Sequence, residues 1–124
     1  MREVSTLSTS QEHRKKYAEN KEILNTLFDE KEKKHSNWIA TICFYTSLHM
    51  IEAKMANKNL HSKSHRERSD YIESSGLFSN KVRMMYKQLE TNSKIARYSE
   101  NDITPTVANQ MKRYMEQIEN EVIE

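Results

Sequence analysis

One glycine, one proline and one cysteine among 124 residues leave the chain with very little punctuation. Turn formers this scarce exclude a many-stranded sandwich or barrel, whose hairpins need them, and exclude a glycine-rich phosphate loop. The single cysteine, Cys43, cannot form an internal disulfide. It sits in an apolar run, reads as a small buried residue rather than a catalytic thiol, and fits a reducing compartment. No stretch reaches the roughly 18 uncharged apolar residues of a membrane span. The amino terminus, MREVSTLSTSQEHRKK, has no apolar run ahead of its charges. A soluble, cytoplasmic protein with no membrane partner is therefore expected. Apolar residues are also few, at 35% against 31% charged, so the core must be thin. Twenty basic and eighteen acidic side chains leave a formal charge of +2, too balanced for a protein that coats polyanions. Any contact with nucleic acid must be local.

What the chain does have is helical periodicity. Its length fits one domain, with residues 1–8 expected to fray and residues 9–124 expected to form a single helical domain. Thr9-Ser10-Gln11-Glu12 spells a capping box ahead of an amphipathic helix over about 10–33, with Tyr17, Leu24, Leu27 and Phe28 on one face. From Ser36 to Asn57 apolar residues cover nearly every side of the wheel, so this helix must be buried all round. In a domain this small, one of its flanks is a candidate subunit interface, and a homodimer is expected. A basic loop follows, then a second capping box at Ser64-His65-Arg66-Glu67, and a short helix stopping at Gly76. Ser79 caps a helix whose stripe Val82, Met85, Tyr86, Leu89 ends in Ile95-Ala96-Arg97-Tyr98. Thr104-Pro105 opens the last one, because proline lacks an amide that would be unpaired there anyway. The expected fold is all-α, an up-and-down four-helix bundle with an additional short helix.

Chemistry is harder to find. The five histidines include only one pair at helical i, i+4 spacing, His61 and His65, and that pair straddles a loop and a cap. No metal and no cofactor are expected. His49 is the unusual polar residue of the apolar helix, either a core histidine bonded to a hydroxyl or carbonyl or a general acid or base facing a groove. Lys63, His65, Arg66 and Arg68 make the densest basic segment, at a helix amino terminus that adds its own attraction for phosphate. Glu67 and Asp70 partly cancel that field. Arg97 ends an apolar stripe beside Tyr98, where a guanidinium can be held in place; Asp102, Glu52 or a bound phosphate are its candidate partners.

Two stretches together resemble the HEPN domain family. The first is Asn37-Trp38-Ile39-Ala40, Phe44-Tyr45-Thr46-Ser47-Leu48-His49, Glu52-Ala53 and the Ser64-His65-Arg66 turn; the second is Leu89, Ile95-Ala96-Arg97-Tyr98 and the helix after Pro105. They span residues 36 to 122. The resemblance implies a helical bundle, commonly dimeric, in a family rich in RNA-cleaving toxins, defence proteins and companions of minimal nucleotidyltransferases. Active ribonucleases of that family place an arginine a few residues before a histidine. Here Arg97 occupies the arginine position, but Tyr98 to Ile103 contain no histidine, and no other arginine is followed by one at that spacing. The expectation is thus an HEPN-like protein binding RNA or a nucleotide, or acting with a toxin, defence or nucleotidyltransferase partner. Arg97, Arg68, Arg66 and Lys63 would meet phosphate, His49 and His65 would transfer protons, and Tyr98 would stack. The alternatives are a protein-binding adaptor or antitoxin, and a metal-independent endoribonuclease with a rearranged Arg/His site.

Overall fold

The computed structural model describes residues 9–28 and 35–123. The expected fraying of residues 1–8, and the continuation of the first helix to residue 33, lie outside them. Among the described residues there are five helices and no strand: α1 (Ser10–Phe28), α2 (Ser36–Ala56), α3 (His65–Ser74), α4 (Asn80–Tyr98) and α5 (Pro105–Val122).

The caps behave as their residue types require. Thr9 and Glu12 exchange backbone-to-side-chain hydrogen bonds of 2.7 and 3.1 Å, a complete box, and these bonds hold the Glu12 carboxyl below its ordinary range. Ser64, Ser79 and Thr104 each accept from the amide three residues on. The second box is modified, because the Glu67 carboxylate reaches back to the Lys63 amide rather than to the cap itself. Gly76 stands just beyond α3 at φ +77°, the left-handed conformation that a glycine adopts at least cost.

Side-chain pairings give the direction of every long helix. His13 near the start of α1 meets His49 near the end of α2, and Arg97 at the end of α4 meets Tyr45 in the first half of α2. Ser79, capping α4, bonds Glu121 at the end of α5, while Tyr17 and Lys21 of α1 bond Glu119. The four long helices therefore run up, down, up, down, with the short α3 inserted between the second and third.

Helix α2 packs against α1, α4 and α5. Phe44, Met50, Ile51 and Met55 are fully buried there, with Val82, Met85, Leu89, Met115 and Ile118 from the opposing helices. The flank offered by the sequence as a subunit interface is covered within the chain, because three partner helices suffice to enclose a single apolar rod. Trp38 is the exception on α2 and stands 65% exposed. No helix among the described residues is long and apolar enough to cross a membrane.

Two buried hydroxyls in this core, those of Thr46 and Tyr86, have no hydrogen-bond partner. The Thr46 hydroxyl is fully enclosed without a hydrogen bond, whereas the neighbouring Ser47 hydroxyl donates to the Cys43 carbonyl at 2.8 Å. Replacing Thr46 by valine keeps the shape and removes an unsatisfied oxygen. Thr46→Val is expected to stabilise the fold by up to about 1 kcal/mol, read as a rise in the urea midpoint. A clear fall would mean that the hydroxyl is bonded in solution.

Candidate functional site

The polar stripe of α2 runs Thr41, Tyr45, His49, Glu52, spacings that keep all four on one side of a helix. Two arginines grip it at separate points.

At the lower end, Glu52 is 6% exposed and receives Arg68 Nε at 2.6 Å and Ser62 Oγ at 2.5 Å. The same guanidinium donates through Nη1 to His65 Nδ1 at 2.7 Å. Because arginine only donates, His65 Nδ1 must carry a lone pair, and its proton sits on Nε2. Burial opposes the Arg68 charge, but the Tyr86 hydroxyl and Glu52 beside it outweigh that and raise its pKa. The Tyr86 hydroxyl is buried with no aligned hydrogen-bond partner, and burial pushes its pKa up.

Next to this pair, His49 Nδ1 lies 2.7 Å from His13 Nδ1, with ring centroids 5.0 Å apart. Two nitrogens at that distance share one proton, so one ring is the Nδ1–H tautomer and the other accepts. Burial first, then His13, Lys16 and Arg68, lower the His49 pKa to about 4. His13 is also lowered, by burial above all, with Lys16 and Arg68 acting the same way and Glu52 and Glu12 opposing. Both rings are neutral at pH 7. The Cys43 thiol is fully buried and its pKa is pushed up by desolvation, which leaves it without nucleophilic character. No group of three or more His, Cys, Asp or Glu among the described residues could hold a metal ion.

Arg97 is arranged differently. Its Nε donates to the Ser93 carbonyl at 3.1 Å, Nη2 to Ser93 Oγ at 3.2 Å, and Nη1 to Tyr45 Oη at 2.7 Å and Tyr98 Oη at 3.4 Å. The guanidinium carbon lies 5.3 Å from the Tyr45 ring centre and 4.9 Å from that of Tyr98. Every one of these partners is neutral, and no carboxylate pairs with Arg97 among the described residues. Neither Asp102 nor Glu52 is its partner, because Asp102 accepts from Asn37 and Glu52 is taken by Arg68. Arg97 borders a cavity of about 310 Å³ with Asn37, Trp38, Thr41 and Ala96. Tyr98, at 78% exposed, and Trp38 stand open beside it.

The structure thus hydrogen-bonds His65 to Arg68, sets His49 within electrostatic reach of Arg68 but bonded to His13, and places Arg97 with Tyr98 elsewhere. Lys63 and Arg66 are exposed around the start of α3. Arg68 spends its charge inside the bundle on Glu52, and His49 bonds another imidazole rather than a hydroxyl or carbonyl. Sequence reasoning missed His13, Tyr45 and Trp38. His13 precedes Tyr17 by four residues, on the apolar face of α1, which was the available signal; nothing local distinguishes Trp38 from its buried neighbours. No protein-family model matches the chain, and comparison with curated proteins finds no match.

Proposed function

We propose that this chain is an HEPN-like helical protein that binds RNA or a nucleotide through the Arg97 end of its bundle. The supporting observation is the Arg97 guanidinium, held in place by neutral groups, with no carboxylate paired to it among the described residues, and flanked by the open rings of Trp38 and Tyr98. A fixed cation beside exposed aromatic faces suits single-stranded nucleic acid, which offers phosphates to the one and bases to the other. Cleavage is no part of this reading. His49 and His65, the candidate proton-transfer groups, belong to the set whose cation already has its carboxylate.

Anisotropy of a labelled single-stranded RNA at two salt concentrations tests it. The parent is expected to bind, more weakly as salt rises, and Arg97→Ala or Trp38→Ala is expected to weaken binding about tenfold. Absence of salt-sensitive binding by the parent overturns the reading. A second reading is favoured by the same face, because tryptophan, tyrosine and arginine dominate protein contacts too. In that case the face joins two copies of the chain, or a toxin, defence or nucleotidyltransferase partner. Sedimentation would then show a dimer that Trp38→Ala dissociates, with RNA binding absent.

A further inference from the structure

We infer that the cavity lined by Trp38, Asn37 and Asp102 is a base pocket that selects guanine. The inference rests on the RNA or nucleotide reading and adds to it the identity of the preferred base.

The cavity has a volume of about 500 Å³, within the range of sites for small ligands. Trp38 and Asn37 line both this cavity and the one that Arg97 borders, so the exposed indole adjoins both. Asp102 also lines the larger cavity, together with His35, Ser36, Ile103 and Pro105. Its position is set by Asn37, whose side chain is clamped from both ends. Asn37 Oδ1 accepts the Ile103 amide at 2.8 Å, which fixes the orientation of the carboxamide, and Nδ2 therefore faces the carboxylate, donating to Asp102 Oδ1 at 3.1 Å. That bond immobilises one oxygen, and among the described residues the carboxylate has no other hydrogen bond. No cation pairs with Asp102 among the described residues.

An ionised carboxylate only accepts hydrogen bonds. Among the four RNA bases, guanine alone presents two adjacent donors on its Watson–Crick edge, N1–H and N2–H. Adenine and cytosine set one amino donor next to a bare ring acceptor, and uracil sets one imide donor between two carbonyls. A base stacked on Trp38 with its edge toward Asp102 therefore pairs fully only if it is guanine, and Arg97 lines the adjoining cavity that shares Trp38. A base at this place would thus be read by hydrogen bonds in addition to stacking, which by itself discriminates little.

Trp38 is the only tryptophan of the chain, so its fluorescence reports stacking directly. Titration of the full chain with GMP, AMP, CMP and UMP is expected to quench it with GMP binding about tenfold more tightly than the others, the discrimination of one good two-point base contact. Asp102→Asn keeps an acceptor for Asn37 but replaces the second acceptor by an amino donor. It is expected to abolish the GMP preference and bring the four affinities together, because a carboxamide finds one donor and one adjacent acceptor on the edge of every base. Asp102 is exposed, so this variant is expected to retain the fold, verified by its circular dichroism. Equal affinities of the parent for all four nucleotides, or an unchanged preference in Asp102→Asn, while labelled RNA still binds, would overturn the guanine pocket and leave RNA binding standing. Failure of the parent to bind RNA or any nucleotide would overturn both.

Discussion

Arg68→Ala is expected to remove about 3–5 kcal/mol of stability, the cost of leaving one member of a buried ion pair alone. Glu52 and Arg68 side chains are only 8% and 13% exposed, and their contact is 2.6 Å. Without the guanidinium, Glu52 keeps a single donor, the Ser62 hydroxyl, in a place where its charge is poorly solvated. His65 loses its donor at the same time. A domain of this size holds about 5–15 kcal/mol in all, so the loss is a large part of the total. Urea unfolding followed by far-UV circular dichroism measures it. The penalty belongs to the broken pair rather than to the pair's own strength: replacing both residues together, Arg68→Met with Glu52→Leu, is expected to recover most of the loss. A shift in Arg68→Ala within about 0.5 kcal/mol, the range of ordinary surface substitutions, would show that water reaches Glu52 freely.

The second large effect is a loss of stability in mild acid. His49 titrates near pH 4 in the fold, against about 6.5 in an unfolded chain, and His13 moves in the same direction. Between those pH values the unfolded chain takes up protons that the folded chain refuses, so stability is full above about pH 6.5, declines as pH falls, and levels off below about pH 4. With a discount for the partial access of water to these rings, the decline is about 1–2 kcal/mol. Burial is the largest cause; in addition, two Nδ1 atoms at 2.7 Å cannot both carry protons, and Lys16 and Arg68 add further positive charge nearby. Glu119 slopes the other way, because burial raises its carboxyl. The informative comparison is therefore between the parent and His49→Gln, measured as urea midpoints at pH 7.5 and 4.5. The variant is expected to lose distinctly less stability over that range, and identical pH profiles would remove the imidazole pair as the origin.

Much of the architecture was legible because its causes are local. Thr9 with Glu12, Ser64, Ser79 and Thr104 with Pro105 all cap where their side chains reach the amide three residues on, a matter of short-range geometry. The apolar wheel of α2 announced full burial for the same reason. Pairings between helices carried no such signal. His13 and His49 are separated by 36 positions, Arg97 and Tyr45 by 52, and Asn37 and Asp102 by 65, and nothing in the intervening residues specifies that they meet. Arg68 illustrates the consequence: by composition it belongs to an exposed basic run with Lys63 and Arg66, yet its guanidinium turns inward because Glu52 arrives from another helix.

The order of amino acids alone determined an all-α chain, the starts of its helices, the burial of the second long one and the special setting of Arg97 at the end of an apolar stripe. Capping, periodicity and hydrophobicity act over a few residues and need no knowledge of the rest of the molecule. Only the packed bundle decided which charges are cancelled and which remain available. That question turns on where distant carboxylates and hydroxyls come to lie, and packing brought Glu52 to Arg68 while leaving Arg97 with neutral partners among open aromatic rings.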